Sequence, residues 1–557
     1  MDPRYDPNIV PGTVHLVDIA GDLNVQKGTS GAKDIILQPQ PSSNPNDPLR
    51  WSRAKKLKQF WLLWFLSFML AVSVNWSGPI WVVWTEDFNC SFFDLNVSSA
   101  LCFIFLGIGC LFLQPTALKL GRRCVYLFCT VLVTFGNLLV SQATGVQHLY
   151  GSNIMCGFAA APVDSLVEIS TTDVFFQHER AEYLSWFILS LYAGSDLGPV
   201  ACGYIVEHLS WRWCGYIQII IFGVTLVVCL FYMEDTTFRR DYDSLQGEEE
   251  IMHQIKSRES SVAPQQVTEK SRVVVGLESE DLSDAASIAS VDHSIPLRTY
   301  WQRMRLIETE YSDLRSWLTI FIRPFFLVSF PAVVWGGLIY GAQMMWLSLL
   351  ATTQAEIYSY APYNFSTPQT GLTNLGALVG SIIGMFYGGK FVDYLTVKLA
   401  RRNNGIMEPE FRLWAMILPT ILNAAGLLAY GLSSAYQAPW AVSVVVGQGC
   451  LGFAMGSSGS ICLTYAIDSY PKLASEALVL MLFVRNCIGC GFTFAIQPWL
   501  DRNGLKLTTW LMFMLSLIIN GSFILMIMFG KSFRRWTKER YYKFSDPMFG
   551  EFFKGKK

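Results

Sequence analysis

The sequence predicts an all-α polytopic membrane protein whose twelve transmembrane helices form two pseudo-symmetric six-helix bundles. Of the 557 residues, 52% are hydrophobic and only 15% are charged. Apolar runs of about 20 residues, each long enough to cross a hydrocarbon core of about 30 Å, recur along the chain. A long polar stretch separates six of these runs from six more. These features leave little room for a soluble domain.

The first six spans follow a polar N-terminal tail. We place them at residues 59–84, 97–118, 122–142, 148–171, 182–205 and 211–233. Lysine and arginine are frequent just before the first span, and the positive-inside rule puts that end in the cytosol. The loop after span one carries Glu86, Asp87 and Asp94 but no lysine or arginine, so we expect the odd-numbered loops to face outward.

The polar stretch after span six, residues 234–322, is predicted to be a cytosolic linker. Its Ser/Glu/Asp-rich tract from 257 to 294 cannot bury enough apolar surface to fold alone, which indicates disorder. Between 301 and 317, apolar residues interleave with arginines, a pattern typical of an amphipathic helix on a membrane surface. Six further spans are predicted at 323–352, 370–392, 411–433, 438–466, 476–500 and 508–530.

The predicted domain organisation follows from these spans. Residues 1–58 form a disordered cytosolic tail, 59–233 the N-terminal bundle, 323–530 the C-terminal bundle and 531–557 a second cytosolic tail rich in lysine and arginine. Six plus six spans around an inside loop are typical of a pseudo-symmetric transporter. In such proteins the substrate site lies between the two halves near the membrane midplane.

Composition and motifs exclude several other classes of protein. The formal net charge of -1 gives no indication of nucleic-acid binding. The 13 cysteines lie mostly inside apolar runs, without metal-ligand or secreted-domain spacing, and are expected to be small core residues. The sequence has no nucleotide-binding loop, metal-ligand cluster or nucleophile constellation. We therefore expect neither an enzyme nor an ATP-driven pump, and neither a cofactor nor a bound metal.

Two acidic residues in span four are the leading candidates for a functional site. Asp164 and Glu168 are four residues apart and share one helix face. A carboxylate near the bilayer centre costs on the order of 3 kcal/mol, and such residues usually face a bundle interior or a wet cavity. The pair predicts an acidic cavity for protons, a cationic solute or both. The alternative is that these acids only pair with a neighbouring helix.

Two further charged residues lie deep in other spans. Asp196 is about 21 Å into span five at 1.5 Å per residue, and structural pairing and function are equally good interpretations. Burial favours the protonated form of a carboxylic acid and a cation favours the charged form, so such a group can exchange a proton for a cationic substrate. Arg485 in span eleven is a counter-ion to these acids, a contact for an anionic part of the substrate, or one side of a salt bridge between the halves.

Spans one and seven also concentrate aromatic residues together with one glutamine. Two interpretations are open: they line the cavity and hold a cation by ring contacts of roughly 1 to 2 kcal/mol each, or they form belts at the membrane interface. The residues concerned are Trp76, Trp81, Trp84, Trp335, Tyr340, Gln343 and Trp346.

Three glycosylation sequons fall in predicted outward loops. Asn89 and Asn96 begin sequons in the loop after span one, and Asn364 begins one in the loop after span seven. Two more sequons, at Asn75 and Asn520, lie within spans and are discounted.

Several motifs in chain order resemble the major facilitator superfamily, and within it the fungal twelve-span drug:proton antiporter branch. They are Asp47 to Trp51, Gly121-Arg122-Arg123, Asp173-Val174-Phe175 with Arg180, Gly198-Pro199 with Gly203, and Trp211-Arg212-Trp213. Within the branch, the chain resembles the yeast histidinol and polyamine permease group. The residues that carry this second resemblance are Pro11 to Thr13, Pro45 to Pro48, Asp173 to His178, Glu410 to Leu413 and Tyr465 to Pro471.

The resemblance implies roles for these motif residues. Asp173, at the cytosolic end of span four, is expected to pair with Arg122 or Arg123 as a latch that breaks during alternating access. Gly389 and Asp393 after span eight correspond to the span-two motif, with Arg401 and Arg402 as the matching arginines.

Two further features of the motifs bear on these roles. Gly198, Pro199 and Gly203 allow close packing and a kink in span five. The superfamily's usual glycine and aspartate before the Gly-Arg-Arg motif are replaced by Gln114 and Leu118.

These observations favour a proton-coupled secondary transporter that moves a small organic cation, such as a polyamine or a histidinol-like amine, across the plasma membrane. The expected partners are a small-molecule substrate, protons and the lipid bilayer. An efflux pump for a drug or secondary metabolite is the main alternative. A receptor that uses the linker as its output, and a channel, account less well for the six-plus-six plan and the Gly-Pro motif.

Overall fold

The computed structural model describes residues 10–15, 44–175, 177–237, 296–307, 315–403 and 406–545. The remainder of the predicted tail 1–58, most of the predicted linker 234–322 and the end of the predicted tail 531–557 lie outside the described residues. The disorder predicted for the tract from 257 to 294 therefore stays a prediction.

Long apolar helices make up most of the described chain. Ten stretches are long and apolar enough to cross a membrane, and the last of them, Pro471–Ser545, is 75 residues long. That stretch holds two spans, because Gly504 has a φ of 68° and interrupts the helix Ala474–Gly521. The helix Gln177–His208 packs among the others as span five. The predicted all-α fold with twelve spans is confirmed.

In the first bundle, short breaks separate long helices. Span one consists of Arg53–Asn75 and Trp81–Asp87, joined through the turn Gly78–Ile80. Spans two and three meet at Gly121, whose φ of 95° favours glycine. Spans two to six are Phe92–Leu120, Arg122–Ser141, Val146–Val174, Gln177–His208 and Arg212–Tyr232.

The second bundle follows two shorter helices, Tyr300–Arg303 and Trp317–Phe326. Span seven is Pro331–Tyr358. Span eight contains Thr367–Leu372, Asn374–Phe386, the π-helical turn Tyr387–Phe391 and Val392–Arg402. Span nine is Pro409–Met416 continued by Ile417–Ala435, and span ten is Val442–Gln448 continued by Gly449–Ser469. Spans eleven and twelve occupy Ala474–Gly521 and Phe523–Ser545.

Several helices run past the ends that hydropathy predicts. Span eight continues to Arg402 and span twelve to Ser545, because backbone hydrogen bonding extends beyond the apolar segment into polar sequence. These extensions lie at the end of the molecule that also carries Arg122, Arg412 and Arg534, which we call the basic face. The other end, which carries the loops at Asn89 and Asn364, is the opposite face.

Spans from the two bundles touch near both faces. At the basic face, Gln114 of span two donates a hydrogen bond of 2.8 Å to the Ser475 hydroxyl at the start of span eleven. At the opposite face, Asn96 of span two donates to Gln497 of span eleven at 3.4 Å. Spans five and eight also pack along each other. The two bundles are therefore in contact near both faces.

Part of the predicted disordered tail is ordered against the second bundle. Val14–His15 forms a two-residue antiparallel ladder with Ile406–Met407, with Val14 opposite Met407. Arg534 of span twelve donates to the Pro11 carbonyl at 2.5 Å. We call residues 10–15 the N-terminal strap. Composition alone indicates disorder for this segment. The strap is nevertheless ordered, because these hydrogen bonds satisfy its backbone groups.

The structure describes only part of the predicted amphipathic segment between 301 and 317. Tyr300–Arg303 forms a single short helix, residues 308–314 lie outside the described residues, and a second helix begins at Trp317. Trp301 is 78% exposed, as expected for a side chain at a membrane surface.

Candidate functional site

A cavity of about 80 Å³ lies between the bundles, near the middle of the spans. Spans one, two, four, five, seven and eleven line it. Most of its wall is aliphatic, including Leu70, Val74, Leu106, Leu191 and Leu347. Its polar lining residues are Asn75, Asp164, Tyr192, Ser195, Tyr340, Gln343 and Arg485. An apolar wall with a few convergent polar groups is typical of a site for small organic molecules.

An ion pair across the cavity joins the two bundles. The Arg485 Nη2 of span eleven donates to the Asp164 Oδ2 of span four, and both residues are buried. The guanidinium carbon also lies 4.7 Å from the ring centroid of Tyr340. Removing either charge would leave the other buried without its partner, at a cost of several kcal/mol. The structure thus brings together two of the predicted site residues, one from each half.

Glu168 lies one helical turn beyond Asp164, toward the basic face. Its side chain is only 7% exposed and makes no hydrogen bond or ion pair within the described residues. It does not line the cavity itself. A carboxyl group in such a position holds its charge only at a desolvation cost, so a proton or an approaching cation would stabilise it.

Asp196 is a second buried acid without a cationic partner in the described part of the chain. It is 4% exposed, and its Oδ2 accepts no hydrogen bond there. The preceding residue, Ser195, lines the cavity and accepts a hydrogen bond of 3.1 Å from Asn75. The preceding turn carries Tyr192, whose hydroxyl donates to the Met455 carbonyl of span ten at 3.0 Å. Asp196 therefore sits beside the cavity, next to the boundary between the bundles.

Of the aromatic residues and glutamine in spans one and seven, only Tyr340 and Gln343 line the cavity. Gln343 is held from both sides: it donates to Asn520 at 3.0 Å and accepts from Asn423 at 3.3 Å. The tryptophans pack elsewhere. Trp76, Trp81 and Trp84 form a cluster near the opposite face, Trp335 donates to Ser522, and Trp346 packs on Phe492. The cavity interpretation is therefore wrong for the tryptophans.

At the basic face of the first bundle, the predicted latch residues are in contact. Arg122 at the start of span three is 2.5 Å from Asp173 at the end of span four and donates to Thr236 at 3.1 Å. The Arg123 guanidinium instead contacts backbone carbonyls, including that of Leu230 at 2.7 Å. Arg180 belongs to span five, but its side chain lies outside the described residues.

The second bundle has a matching ion pair, which was not predicted. Asp393 pairs with Arg412 at 2.7 Å, and Arg412 also pairs with Asp468 at 2.8 Å. Arg401 and Arg402, the expected counterparts of Arg122 and Arg123, are exposed. Gly389 lies in the π-helical turn before Asp393.

The position of Arg412 was available from the sequence. Arg412 lies at the start of the third span of its bundle, as Arg122 does. Arg401 and Arg402 were chosen because they follow Gly389 in the sequence. Comparing positions within the spans would have identified Arg412 instead.

The span-five motif is a close contact between the bundles. A Cβ on Gly203 would lie 2.8 Å from the Pro368 Cα in span eight, closer than side-chain atoms normally approach. Pro199 lies inside the helix Gln177–His208. A Cβ on Gly371 of span eight would lie 2.7 Å from the Pro199 carbonyl oxygen. Gly198 faces Val72 of span one. These small residues let span five approach a helix on either side.

The sequons differ in accessibility. Asn89 and Asn364 are exposed in turns at the opposite face. Asn96 is buried, and its side-chain nitrogen donates to Gln497. A glycan on Asn96 is therefore incompatible with this arrangement, because that nitrogen lies inside the contact between spans two and eleven.

Three polar residues of the cavity wall, Asn75, Tyr192 and Ser195, were not predicted. Asn75, which the sequence offered only as a discounted sequon, and Ser195 form a hydrogen-bonded pair at the cavity wall. An intramembrane asparagine is itself a signal, since an unpaired amide is costly in lipid. Among the described residues, no group of three His, Cys, Asp or Glu side chains converges where it could hold a metal ion.

Comparison with known proteins gives a consistent result. The family model described as Major Facilitator Superfamily matches residues 63–493. An uncharacterized transporter of the same family from Schizosaccharomyces pombe is 34% identical over 98% of this chain and 96% of its own length. Protein HOL1 of Saccharomyces cerevisiae is 30% identical over 97% of each chain.

A solved structure shares the fold. The proton:xylose symporter XylE, bound to 6-bromo-6-deoxy-D-glucose, aligns with a TM-score of 0.56 over 85% of this chain and 96% of its own. The two sequences are only 12% identical, so this likeness concerns the arrangement of helices alone.

Proposed function

This chain belongs to the major facilitator superfamily, and we propose that it is a proton-coupled secondary transporter that moves a small organic cation by alternating access. The observation that carries the proposal is the group of buried acids around one central cavity. Asp164 is paired across the cavity with Arg485, whereas Glu168 and Asp196 have no cationic partner among the described residues. A polyamine or a histidinol-like amine supplies the positive charge that these acids lack.

Proton coupling follows from competition for the same carboxyl groups. A buried acid without a partner is most stable when protonated, and an ammonium group favours the charged form. Binding of an amine near Glu168 or Asp196 therefore favours loss of a proton, and release of the amine favours its return. Arg485 keeps Asp164 compensated when no substrate is bound, so the empty carrier avoids an isolated buried charge.

The cavity wall suits a flexible amine. Its aliphatic side chains contact methylene groups, while Asn75, Ser195 and Gln343 offer hydrogen bonds to amine or hydroxyl groups. The Tyr340 ring already faces one cation, Arg485, and can face a second by the same quadrupole attraction. At about 80 Å³ the cavity is well below the size usual for ligand pockets. Substrate must therefore enter as the bundles separate.

We also propose the orientation. The basic face, with Arg122, Arg412 and Arg534, lies in the cytosol according to the positive-inside rule. The exposed Asn89 and Asn364 then lie outside, where glycosylation takes place. Residues 59–233 and 323–530 act as the two moving halves, and the plasma membrane is the proposed location.

The test is uptake of radiolabelled spermidine at several external pH values, in cells that express the unmodified chain or the variants Asp164→Asn, Glu168→Gln and Asp196→Asn. Glu207→Gln is the matched control, because Glu207 is an exposed acid at the end of span five. We expect acid-stimulated uptake that falls at least tenfold in the three buried-acid variants and is unchanged in the control. Absence of uptake at confirmed surface expression would overturn the amine proposal.

The second candidate function is efflux of a drug or secondary metabolite. The mainly aliphatic wall and the resemblance to the drug:proton antiporter branch favour it. The acid-to-amide variants separate the two functions. A carrier of cationic amines loses substrate binding with the acids, whereas an exporter of neutral compounds loses proton coupling and retains binding.

A further inference from the structure

The end of the predicted linker, residues 296–307, lies against the first bundle. Its first residues are held by Asn46, which belongs to the chain just before span one. The Asn46 side chain donates to the Pro296 carbonyl at 3.2 Å and accepts from the Arg298 backbone nitrogen at 3.1 Å. Because both groups of one amide are used, the contact fixes the direction of the segment as well as its position.

The middle of the segment binds the end of span six. The Tyr300 hydroxyl donates to the Phe231 carbonyl at 2.8 Å. Arg303 lies 3.3 Å from Glu234, which also pairs with Lys55 of span one at 2.6 Å. One carboxylate thus joins span one, the end of span six and the segment.

The last residues of the segment bind Arg123, beside the latch residue Arg122. The Arg123 guanidinium donates to the carbonyls of Met304 and, at 3.0 Å, Arg305, in addition to that of Leu230. Arg123 is only 2% exposed. Carbonyl oxygens from the segment therefore satisfy a buried cation of the first bundle.

The chain reaches the second bundle only a few residues later. Arg315 lies 3.3 Å from Glu476 at the start of span eleven, and Arg323 lies 3.0 Å from the same carboxylate. Ile307 and Arg315 are joined by eight peptide bonds. At about 3.5 Å per residue, these bonds span at most about 28 Å.

We propose that residues 296–307 are a clasp that limits how far the bundles separate at the basic face. Without the clasp, the connection between the bundles would be the whole chain from Thr237 to Arg315. That chain can extend to about 270 Å, so it would not limit the distance between the bundles. With the clasp, the effective connection is roughly ten times shorter. The long linker is thereby divided into a loop that returns to the first bundle and a short tether to the second.

The experiment compares two insertions of the same twelve Gly/Ser residues in the full-length protein. One lies in the tether, between Ser312 and Asp313, and adds about 40 Å of reach. The matched control lies in the loop, between Ala285 and Ala286. The distance between the bundles is measured by single-molecule fluorescence transfer in liposomes, with noncanonical labels at the exposed positions Ser52 and Arg402. This readout does not depend on which substrate is carried.

We expect the tether insertion to shift the distance distribution toward longer values, while the loop insertion leaves it unchanged. The triple variant Asn46→Ala, Tyr300→Phe and Arg303→Ala should reproduce the shift, because it removes the side-chain contacts that these three residues make in the clasp, while Lys55 still compensates Glu234. Adding the tether insertion to this variant should give no further shift. Equal effects from both insertions, or no effect from the tether insertion, would overturn the proposal.

Discussion

The two bundles carry matching ion pairs at the basic face. The bundles differ in which segment of the chain lies over that face. In the first bundle, Arg122 at the start of the third span pairs with Asp173 at the end of the fourth. In the second, Arg412 and Asp468 occupy the same places in their bundle and lie 2.8 Å apart. The repeat is therefore preserved in space although the two sequence motifs differ.

The covers come from different parts of the chain. Residues 296–307 lie over the first bundle through Arg123. The N-terminal strap, residues 10–15, lies over the second. Gly12 packs so closely there that a Cβ would be 2.4 Å from the Asp468 carbonyl oxygen. Each bundle thus has a repeated ion pair and a cover of its own.

The largest expected effect concerns the strap. Arg534 is fully buried and binds Glu410 through two bonds of 2.9 and 2.6 Å as well as the strap carbonyl of Pro11. Arg534→Ala leaves Glu410 buried and unpaired, which should cost about 3 to 5 kcal/mol and lower the apparent Tm of the purified protein by several degrees. The exposed neighbour is the control: Arg535→Ala should change stability by less than about 0.5 kcal/mol. Equal Tm values for the two variants would refute the role of Arg534.

The next effect tests whether the two ion pairs are equivalent. Arg122→Gln and Arg412→Gln should each destabilise its own bundle by about 1.5 to 3 kcal/mol, because each removes a charged hydrogen bond between two spans of that bundle. The apparent Tm of the purified protein should fall by a similar amount in both variants. If only one of the two variants responds, the two ion pairs are not equivalent.

A smaller effect is expected from the strap backbone. Gly12 has a φ of 78°, and a side chain there would collide with span ten. Gly12→Val should therefore cost about 1 to 3 kcal/mol and remove the hydrogen-exchange protection of residues 406 and 407. Gly223→Val is the control, since an added Cβ at Gly223 meets nothing within 4 Å. Retained protection in the Gly12 variant would show that the strap is not held by this turn.

The smallest effect distinguishes the two partners of Arg412. The Asp393 side chain is 38% exposed, and exposed ion pairs contribute at most about 1 kcal/mol. Asp393→Asn should accordingly change the apparent Tm very little, because Arg412 keeps Asp468. Asp468→Asn should destabilise more, since the residue also borders the strap. The reverse order would mean that Asp393 is the principal partner.

Much of the candidate site followed from the sequence. Asp164, Glu168, Asp196 and Arg485 were identified because a charged residue inside an apolar run is costly wherever its helix lies. What could not be predicted was which of them meet. Asp164 and Arg485 are 321 residues apart, and their contact depends on the rotation and depth of two helices packed across the bundle boundary.

The same distinction holds for the fold. By itself the sequence determined the membrane class, the twelve spans and the motifs of the superfamily, because hydropathy and charge are properties of each segment. Only the tertiary structure decided that Asp164 meets Arg485, that Asn96 is buried, and that residues 10–15 and 296–307 bind opposite bundles. These outcomes arise from contacts between distant segments, whose geometry no local pattern of residues specifies.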